Sequence, residues 1–182
     1  MKKFIAIAAL LLTLAGCSAS TAAAATQEKL SSTQTTKVVE QAGLMSFIKK
    51  MKAVSQRQLI STTITKLKSH VGKTWYVFSG DTPRGWDCSG LTKWFYEQVG
   101  IPLEHRASKQ AHSGRAVKTP RIGDIVAFYY PGWNSAVHVG IYIGNGKMIN
   151  APRPGTVTTE ESIRNGGFKG YKVRYIRVTG IL

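Results

Sequence analysis

The spacing of apolar side chains predicts three helical segments in the first half of the chain. Within residues 44–59, 60–70 and 88–99, apolar positions recur three or four residues apart, as on one face of a helix. Gly72 and Gly100 follow the second and third segments, and glycine commonly ends a helix. The apolar positions are Leu44, Phe47, Ile48 and Met51, then Ile64, Leu67 and Val71, and finally Leu91, Trp94 and Phe95.

In the second half of the chain, short apolar segments predict strands, and in residues 137–143 apolar side chains alternate with other residues. The strand segments are residues 125–130, 137–143, 147–150 and 171–178. Helices that precede a run of antiparallel strands are typical of the α+β class, in which helices pack on a sheet. The sequence therefore predicts an α+β fold.

A glycine-rich stretch, Gly144-Asn145-Gly146, separates the two middle strands and predicts a hairpin. The favoured register pairs Ile141 with Ile149, because both isoleucines then lie on the apolar face of the sheet. This register requires a three-residue loop with a left-handed glycine, rather than a two-residue Asn-Gly turn. Asn150 then lies diagonally across from His138, within reach of its side chain.

The N-terminus resembles an export signal. Met1-Lys2-Lys3 is positively charged, and the apolar residues 4–15 that follow are too few to span a membrane comfortably. The run ends in Leu-Ala-Gly before Cys17, which resembles the lipobox of bacterial lipoproteins and implies a signal peptide over residues 1–16 and lipid on Cys17. The alternative is ordinary signal cleavage near residues 22–25. We expect an exported protein, lipid-anchored to a bacterial membrane and facing the cell wall.

Two segments connect this anchor to the rest of the chain. Residues 17–43 contain few large apolar side chains, so the sequence predicts a flexible tether. Residues 44–59 are basic as well as amphipathic. Such a helix either lies on an anionic surface or packs on its own domain, and the sequence leaves both possibilities open. A folded domain is predicted over residues 60–182.

The chain is strongly basic, with 25 Lys and Arg residues against 9 Asp and Glu residues and a net charge of +16. Such a field favours anionic partners, among them bacterial wall polymers, lipid head groups and nucleic acid. Export and the lack of a nucleic-acid-binding motif argue against nucleic acid.

The chain has two cysteines, and Cys17 does not remain a free thiol whether it is lipidated or cleaved away. Cys88 is then a lone thiol in an exported protein, either a buried small side chain or a reactive group. It stands at the predicted start of the helix over residues 88–99, where free N–H groups and the helix dipole favour a thiolate. Cys88 is therefore a candidate nucleophile.

A thiol nucleophile needs a general base, and His138 is the best placed of the four histidines. It interrupts an alternating strand on the less apolar face, beside Gly140, which suggests an open slot next to the imidazole. The other explanation is an ordinary surface or core histidine. Asn150 would orient the imidazole from the neighbouring strand, or would simply form a turn at the end of that strand.

Several segments together resemble the NlpC-type cell-wall cysteine peptidases. They are Asp87-Cys88-Ser89-Gly90-Leu91, His138-Val139-Gly140-Ile141-Tyr142, and residues 76–80, 106–110 and 123–128. The resemblance covers about residues 60–180. It implies a papain-like fold, in which the nucleophile helix packs on a central antiparallel sheet. It also implies hydrolysis of peptidoglycan stem peptides through a thioester, with the bond between D-glutamate and the diamino acid as the target.

The resemblance also implies the site residues. The implied catalytic residues, in the order nucleophile, general base and third polar residue, are Cys88, His138 and Asn150. The implied substrate-binding residues are Tyr76, Asp87 and Ser89. Histidine is commoner in the family at the position of Asn150, which would orient the imidazole without sharing its charge. Phe78 and Ser79 replace a usual tryptophan and glycine, which affects pocket shape more than chemistry.

Two other functions remain open from the sequence. One is a CHAP-like amidase that cuts the sugar–peptide junction or a cross-bridge, and the other is a non-catalytic wall-binding module. The thiol and the histidines lack the close spacing of metal ligands, so we predict no metal and no other cofactor. We expect a monomer whose partners are peptidoglycan and anionic wall polymers or lipid head groups.

Overall fold

The computed structural model describes residues 19–181. The predicted signal peptide, residues 1–16, and the predicted lipidation site, Cys17, lie outside these residues. The chain divides after Lys50 into two compact units. None of the helices in the described residues is both long and apolar enough to cross a membrane.

A continuous helix, α1 (Ala19–Lys68), replaces the predicted tether and the two separate helices after it. The tether prediction over residues 17–43 is therefore wrong for the described residues 19–43. Few large apolar side chains argue against burial, but not against a helix, and Ala, Gln, Glu, Lys and Leu all favour a helix in water. The segment contains no proline, and Gly43 weakens a helix by only about 1 kcal/mol.

The predicted apolar stripe of residues 44–59 is exposed. Leu44, Phe47 and Met51 are 57%, 60% and 52% exposed, respectively. Burial in the second unit begins at Ile60, so only the last turns of α1 contribute apolar side chains to the core.

The second unit contains two further helices and two antiparallel sheets. After α1 the elements are β1 (Asp81–Thr82), β2 (Gly85–Trp86), α2 (Cys88–Gln98), α3 (Ala107–Gln110), β3 (Gly114–Val117), β4 (Ile125–Tyr129), β5 (His138–Gly144), β6 (Lys147–Asn150), β7 (Thr159–Ser162) and β8 (Lys172–Val178). The large sheet has the order β3-β8-β4-β5-β6-β7, and β1 pairs with β2. The predicted helix at Cys88 and the predicted strands match α2, β4, β5, β6 and β8, whereas α3, β1, β2, β3 and β7 were not predicted.

The large sheet is covered on both faces. On one face, Leu67 of α1 and Leu91 of α2 pack against strand residues such as Ile141. On the other face, Phe128 belongs to a smaller cluster against which Phe168, from the segment before β8, is packed. Every residue of β4 is consequently buried. A strand covered on both sides is an apolar run, as the sequence of β4 is.

The β5–β6 hairpin has the predicted register but a different turn. Ile141 pairs with Ile149, as expected. Asn145 and Gly146 alone form the turn, because Gly144 pairs with Lys147 and a bulge before Gly144 absorbs the change of register. The three-residue loop predicted here is therefore wrong. Gly144, Asn145 and Gly146 have φ of 97°, 51° and 69°, as a tight turn with an adjoining glycine bulge requires.

A buried ion pair connects β8 to the turn before β4. Arg177 donates from Nε to Asp124 Oδ1 at 3.1 Å and from Nη2 to Asp124 Oδ2 at 2.8 Å. The two side chains are 7% and 1% exposed. Asp124 also accepts the Arg121 N–H at 2.7 Å. The Asp124 carboxylate therefore both closes the turn before β4 and neutralises the buried guanidinium of Arg177.

Candidate active site

Two hydrogen bonds of Asp87, one from its side chain and one from its backbone, fix the start of α2 and so place the thiol of Cys88. Asp87 caps the helix, because its Oδ1 accepts the Gly90 N–H at 2.7 Å. The Asp87 N–H donates to the Gly80 carbonyl at 3.0 Å. A Cβ at Gly90 would overlap that carbonyl, so glycine allows the loop before β1 to cross the first turn of α2. Cys88 is consequently the first residue of the helix.

The Asp87 carboxylate accepts four hydrogen bonds. Besides Gly90 N–H, Oδ1 accepts Ser89 Oγ–H at 2.8 Å and His105 Nε2–H at 3.0 Å, and Oδ2 accepts Ser79 N–H at 3.0 Å. Burial alone would raise the pKa of Asp87, but these hydrogen bonds hold the pKa below its ordinary value. His105 lies in a polar loop, and no local pattern in the sequence marks its contact with α2. Two of the predicted substrate-binding residues, Asp87 and Ser89, thus bond to each other.

The thiol of Cys88 is partly buried beside strand β5. The backbone N–H groups of Val139, Ser89 and Cys88 itself act to lower the pKa of the thiol. Burial and the nearby Asp87 carboxylate outweigh them and raise the pKa of the thiol from 9.0 to about 11. The thiolate expected from the helix dipole is therefore disfavoured in this resting structure, because desolvation penalises the charged form more than the N–H groups stabilise it.

The imidazole of His138 is buried, at 5% exposure, and this corrects the open slot predicted beside Gly140. Phe168 stacks on the ring, with centroids 4.0 Å apart and planes 18° apart. The space beside Gly140 is occupied by β6, since a Cβ there would crowd Asn150. Burial lowers the pKa of His138 from 6.5 to about 4, although the hydrogen bond to Asn150 acts in the opposite direction. The ring is therefore neutral, and able to accept a proton, near pH 7.

A chain of hydrogen bonds runs from this imidazole across β6 to β7. His138 Nε2 donates to Asn150 Oδ1 at 2.9 Å, and so the predicted diagonal contact is present. Asn150 Nδ2 donates to Glu161 Oε1 at 2.8 Å, and Glu161 Oε2 accepts the Gly167 N–H at 2.6 Å. Glu161 is absent from the sequence-based site, because the Thr-Glu-Glu-Ser sequence of β7 has no apolar alternation that would predict a strand.

The fold packs α2, which begins at Cys88, against β5, which begins at His138 in a distant part of the chain. The N–H of Val139, the residue after His138, is one of the groups that act to lower the pKa of the Cys88 thiol. Among residues 19–181, no hydrogen bond joins the thiol to the imidazole. Because Asn150 occupies Nε2, the nitrogen that remains to accept the thiol proton is Nδ1.

Two further motif residues contact the start of α2. Burial and the neighbouring Cys88 and Asp87 groups raise the pKa of Tyr76, whose side chain packs against the same core cluster as Cys88. Gln110 is buried, and its Nε2 donates to the Ser89 carbonyl at 2.8 Å. Tyr76 is therefore close to Cys88, and Gln110 connects α3 to the first turn of α2.

A cavity of about 470 Å³ reaches His138. Its lining includes Tyr130, His138, Arg153, Thr156, Glu161 and Phe168. A larger cavity, of about 870 Å³, lies between the last turns of α1 and the β5–β6 hairpin and is lined by none of the predicted site residues. In the described part of the chain, no group of three or more His, Cys, Asp or Glu side chains is arranged to hold a metal ion.

The fold is that of the papain-like α+β class, as predicted. The NlpC/P60 family model matches residues 72–177, and the chain belongs to this family. A NlpC/P60 family protein from Bacillus cereus has a similar solved structure, with a TM-score of 0.59 and 28% identity over 65% of this chain and 40% of that chain.

Two curated relatives show how much of a longer protein the similarity covers. Peptidoglycan endopeptidase RipA of Mycobacterium tuberculosis is 40% identical over 100 residues, which are 54% of this chain and 21% of RipA. Probable endopeptidase p60 of Listeria monocytogenes is 37% identical over 117 residues, which are 63% of this chain and 23% of p60. The chain therefore matches about a fifth of the length of these relatives.

Proposed function

We propose that this protein is an extracytoplasmic cysteine endopeptidase that hydrolyses the stem peptides of peptidoglycan. The observation that carries the proposal is that α2, which begins at the thiol of Cys88, packs against β5, which begins at His138. The imidazole of His138 is buried, and Asn150 holds it through a 2.9 Å hydrogen bond. Membership of the NlpC/P60 family and the similarity to a peptidoglycan endopeptidase support the substrate class.

In the proposed reaction, proton transfer accompanies attack. The resting thiol and imidazole are both neutral, because burial raises the pKa of Cys88 to about 11 and lowers the pKa of His138 to about 4. His138 Nδ1 takes the thiol proton while the sulfur forms a bond to the scissile carbonyl carbon and the C=O electron pair moves to oxygen.

The tetrahedral intermediate then collapses. The carbonyl re-forms, the C–N bond breaks, and the imidazolium gives its proton to the departing amine, which leaves a thioester on Cys88. A water molecule, deprotonated by the same imidazole, attacks the thioester to form a second tetrahedral intermediate. Breaking of the C–S bond then releases the acid, and the imidazolium returns its proton to the departing sulfur, which restores the thiol and the neutral imidazole. Asn150 holds His138 in the Nε2–H form throughout, as a neutral orienting partner.

Backbone donors for the oxyanion are available at the start of α2. The Gly90 N–H is occupied by the Asp87 carboxylate, whereas the N–H groups of Cys88 and Ser89, in the first turn of α2, act to lower the pKa of the thiol. An oxyanion formed next to the sulfur would accept these N–H groups in place of the thiol. Tyr76, beside the nucleophile, is a further candidate donor.

The finer parts of the proposal concern the substrate and the location. The resemblance favours cleavage between D-glutamate and the diamino acid, with Tyr76, Asp87 and Ser89 shaping the substrate side of the nucleophile. A lipid on Cys17 would keep the catalytic domain, residues 60–182, at a membrane. The net charge of +16 would hold the enzyme near anionic wall polymers or lipid head groups.

Digestion of purified muropeptides, followed by mass measurement of the fragments, tests this proposal. We expect cleavage between D-glutamate and the diamino acid. Cys88→Ala and His138→Ala should abolish it while wall binding is retained. His112→Ala, at an exposed histidine, is the matched control and should cleave normally. Fragments cut at the sugar–peptide junction would instead indicate a CHAP-like amidase. Undiminished hydrolysis by Cys88→Ala, or wall binding by the wild type without any hydrolysis, would refute the assignment.

A further inference from the structure

The hydrogen-bond chain behind His138 ends on a charged group that the mechanism above does not use. Glu161 lies on β7 and pairs across the sheet with Met148, two residues before Asn150 on the same face of β6. Both of its carboxylate oxygens are engaged, Oε1 by the Asn150 amide at 2.8 Å and Oε2 by the Gly167 N–H at 2.6 Å. The Asn150 side chain is fully buried between Glu161 and the imidazole.

An asparagine beside an imidazole is ambiguous on its own, because its oxygen and its NH₂ group can exchange places by rotation of the amide. With the oxygen towards His138, the ring must carry its proton on Nε2, and Nδ1 is free to act as base. With the NH₂ group towards His138, Nε2 must accept, and the proton moves to Nδ1, where it prevents the ring from taking a proton from the thiol.

Glu161 removes this ambiguity, since an ionised carboxylate can only accept hydrogen bonds. The amide group that faces it must be NH₂, and the oxygen must then face His138. On the basis of the proposed function, we propose that Glu161 is a positioning residue that sets the catalytic tautomer of His138 by fixing the orientation of the Asn150 amide. The Gly167 N–H holds the carboxylate in place from its other side.

An exchange of the amide and the carboxylate tests this arrangement. In Asn150→Asp, two carboxylates face each other at the 2.8 Å contact, so we expect a large loss of kcat. In the double variant Asn150→Asp/Glu161→Gln, the glutamine oxygen can accept the Gly167 N–H while its NH₂ group donates to the new aspartate. The hydrogen bonds from His138 through residues 150 and 161 to Gly167 are thereby restored, and only the 3.5 Å contact of Asn150 Nδ2 with the Thr159 carbonyl is lost. We expect the double variant to recover kcat at least tenfold over Asn150→Asp.

In Glu161→Gln alone, the NH₂ group of the glutamine faces either the Asn150 NH₂ group or the Gly167 N–H. Because both of these groups are also donors, one hydrogen bond is lost unless the Asn150 amide rotates. Because the catalytic tautomer of His138 is then no longer fixed, we expect kcat to fall about tenfold or more while KM changes little. Glu160→Gln, at the neighbouring residue that pairs with exposed Lys147, is the matched control and should stay within about twofold of wild type.

A second measurement does not depend on hydrolysis. Nitrogen-15 NMR of the histidine rings in the full chain should show His138 as the Nε2–H tautomer in the wild type and as a mixture or the Nδ1–H tautomer in Glu161→Gln. The proposal would be overturned if Glu161→Gln kept both the wild-type tautomer of His138 and the wild-type kcat. It would also be overturned if the double variant folded but was no more active than Asn150→Asp. Inactive wild-type protein with the expected tautomer change would refute the proposed function alone.

Discussion

The ionisation of Cys88 is the most direct physical test of the site. Burial and the Asp87 carboxylate raise the pKa of the thiol from 9.0 to about 11 in the folded protein. Two pKa units correspond to about 2.7 kcal/mol against the thiolate. At pH 8 about one thiol in ten is ionised when the pKa is 9.0, but only about one in a thousand when it is 11, a difference of about a hundredfold.

Alkylation by iodoacetamide measures this difference, because the thiolate is the species that reacts. Peptide mass spectrometry follows Cys88 separately from Cys17. In the folded protein we expect the rate to rise about tenfold for each pH unit between 7 and 10, without a plateau. In urea, where the thiol is solvated, the rate should level off above pH 9. At pH 8 the folded protein should react about a hundredfold more slowly than the unfolded protein.

A preformed thiolate–imidazolium pair would behave differently. The folded rate would then reach a plateau with a midpoint below pH 8, and His138→Ala would remove that plateau. This pair of results would refute the reasoning that desolvation dominates the site. With neutral groups, by contrast, His138→Ala should leave the shape of the pH profile unchanged.

Two further predictions concern the scaffold. Asp124→Asn leaves the buried guanidinium of Arg177 without its counter-charge, so we expect the free energy of unfolding to fall by about 3–5 kcal/mol. Glu160→Gln removes a more exposed carboxylate and should change the free energy of unfolding by less than about 1 kcal/mol. Unfolding in urea, followed by tryptophan fluorescence, measures both. Equal losses in the two variants would contradict the importance of burial. Gly90→Ala forces a methyl group into the Gly80 carbonyl and should abolish muropeptide hydrolysis, whereas Gly43→Ala, in open space on α1, should be neutral or slightly stabilising. Normal hydrolysis by Gly90→Ala would show that the start of α2 can move without harm.

The local sequence pattern was sufficient to predict the strands and the helix start, because there the neighbouring residues in the sequence decide the structure. Apolar segments predicted β4, β5 and β6 because each strand has apolar residues that must be buried, and the register of Ile141 on Ile149 followed from the same need. The position of Cys88 at a helix start was predictable from the helical pattern of residues 88–99, and the Asp87 carboxylate caps that helix by accepting the Gly90 N–H. Amino-acid composition gave the wrong prediction, a flexible tether, for residues 19–43, which are part of helix α1. A low content of apolar residues predicts that a segment is exposed, but it does not predict whether the segment is helical.

The sequence by itself determined the α+β class, the candidate thiol, imidazole and amide, and a resemblance specific enough to indicate the NlpC/P60 family, because these depend on local pattern and residue type. The tertiary structure alone decided the charge states and the positioning groups. Phe168 covers His138, His105 reaches Asp87, and Glu161 supports Asn150 from segments without any distinguishing pattern. Desolvation and hydrogen-bond direction arise from all the groups around an atom, and most of those groups are distant in sequence.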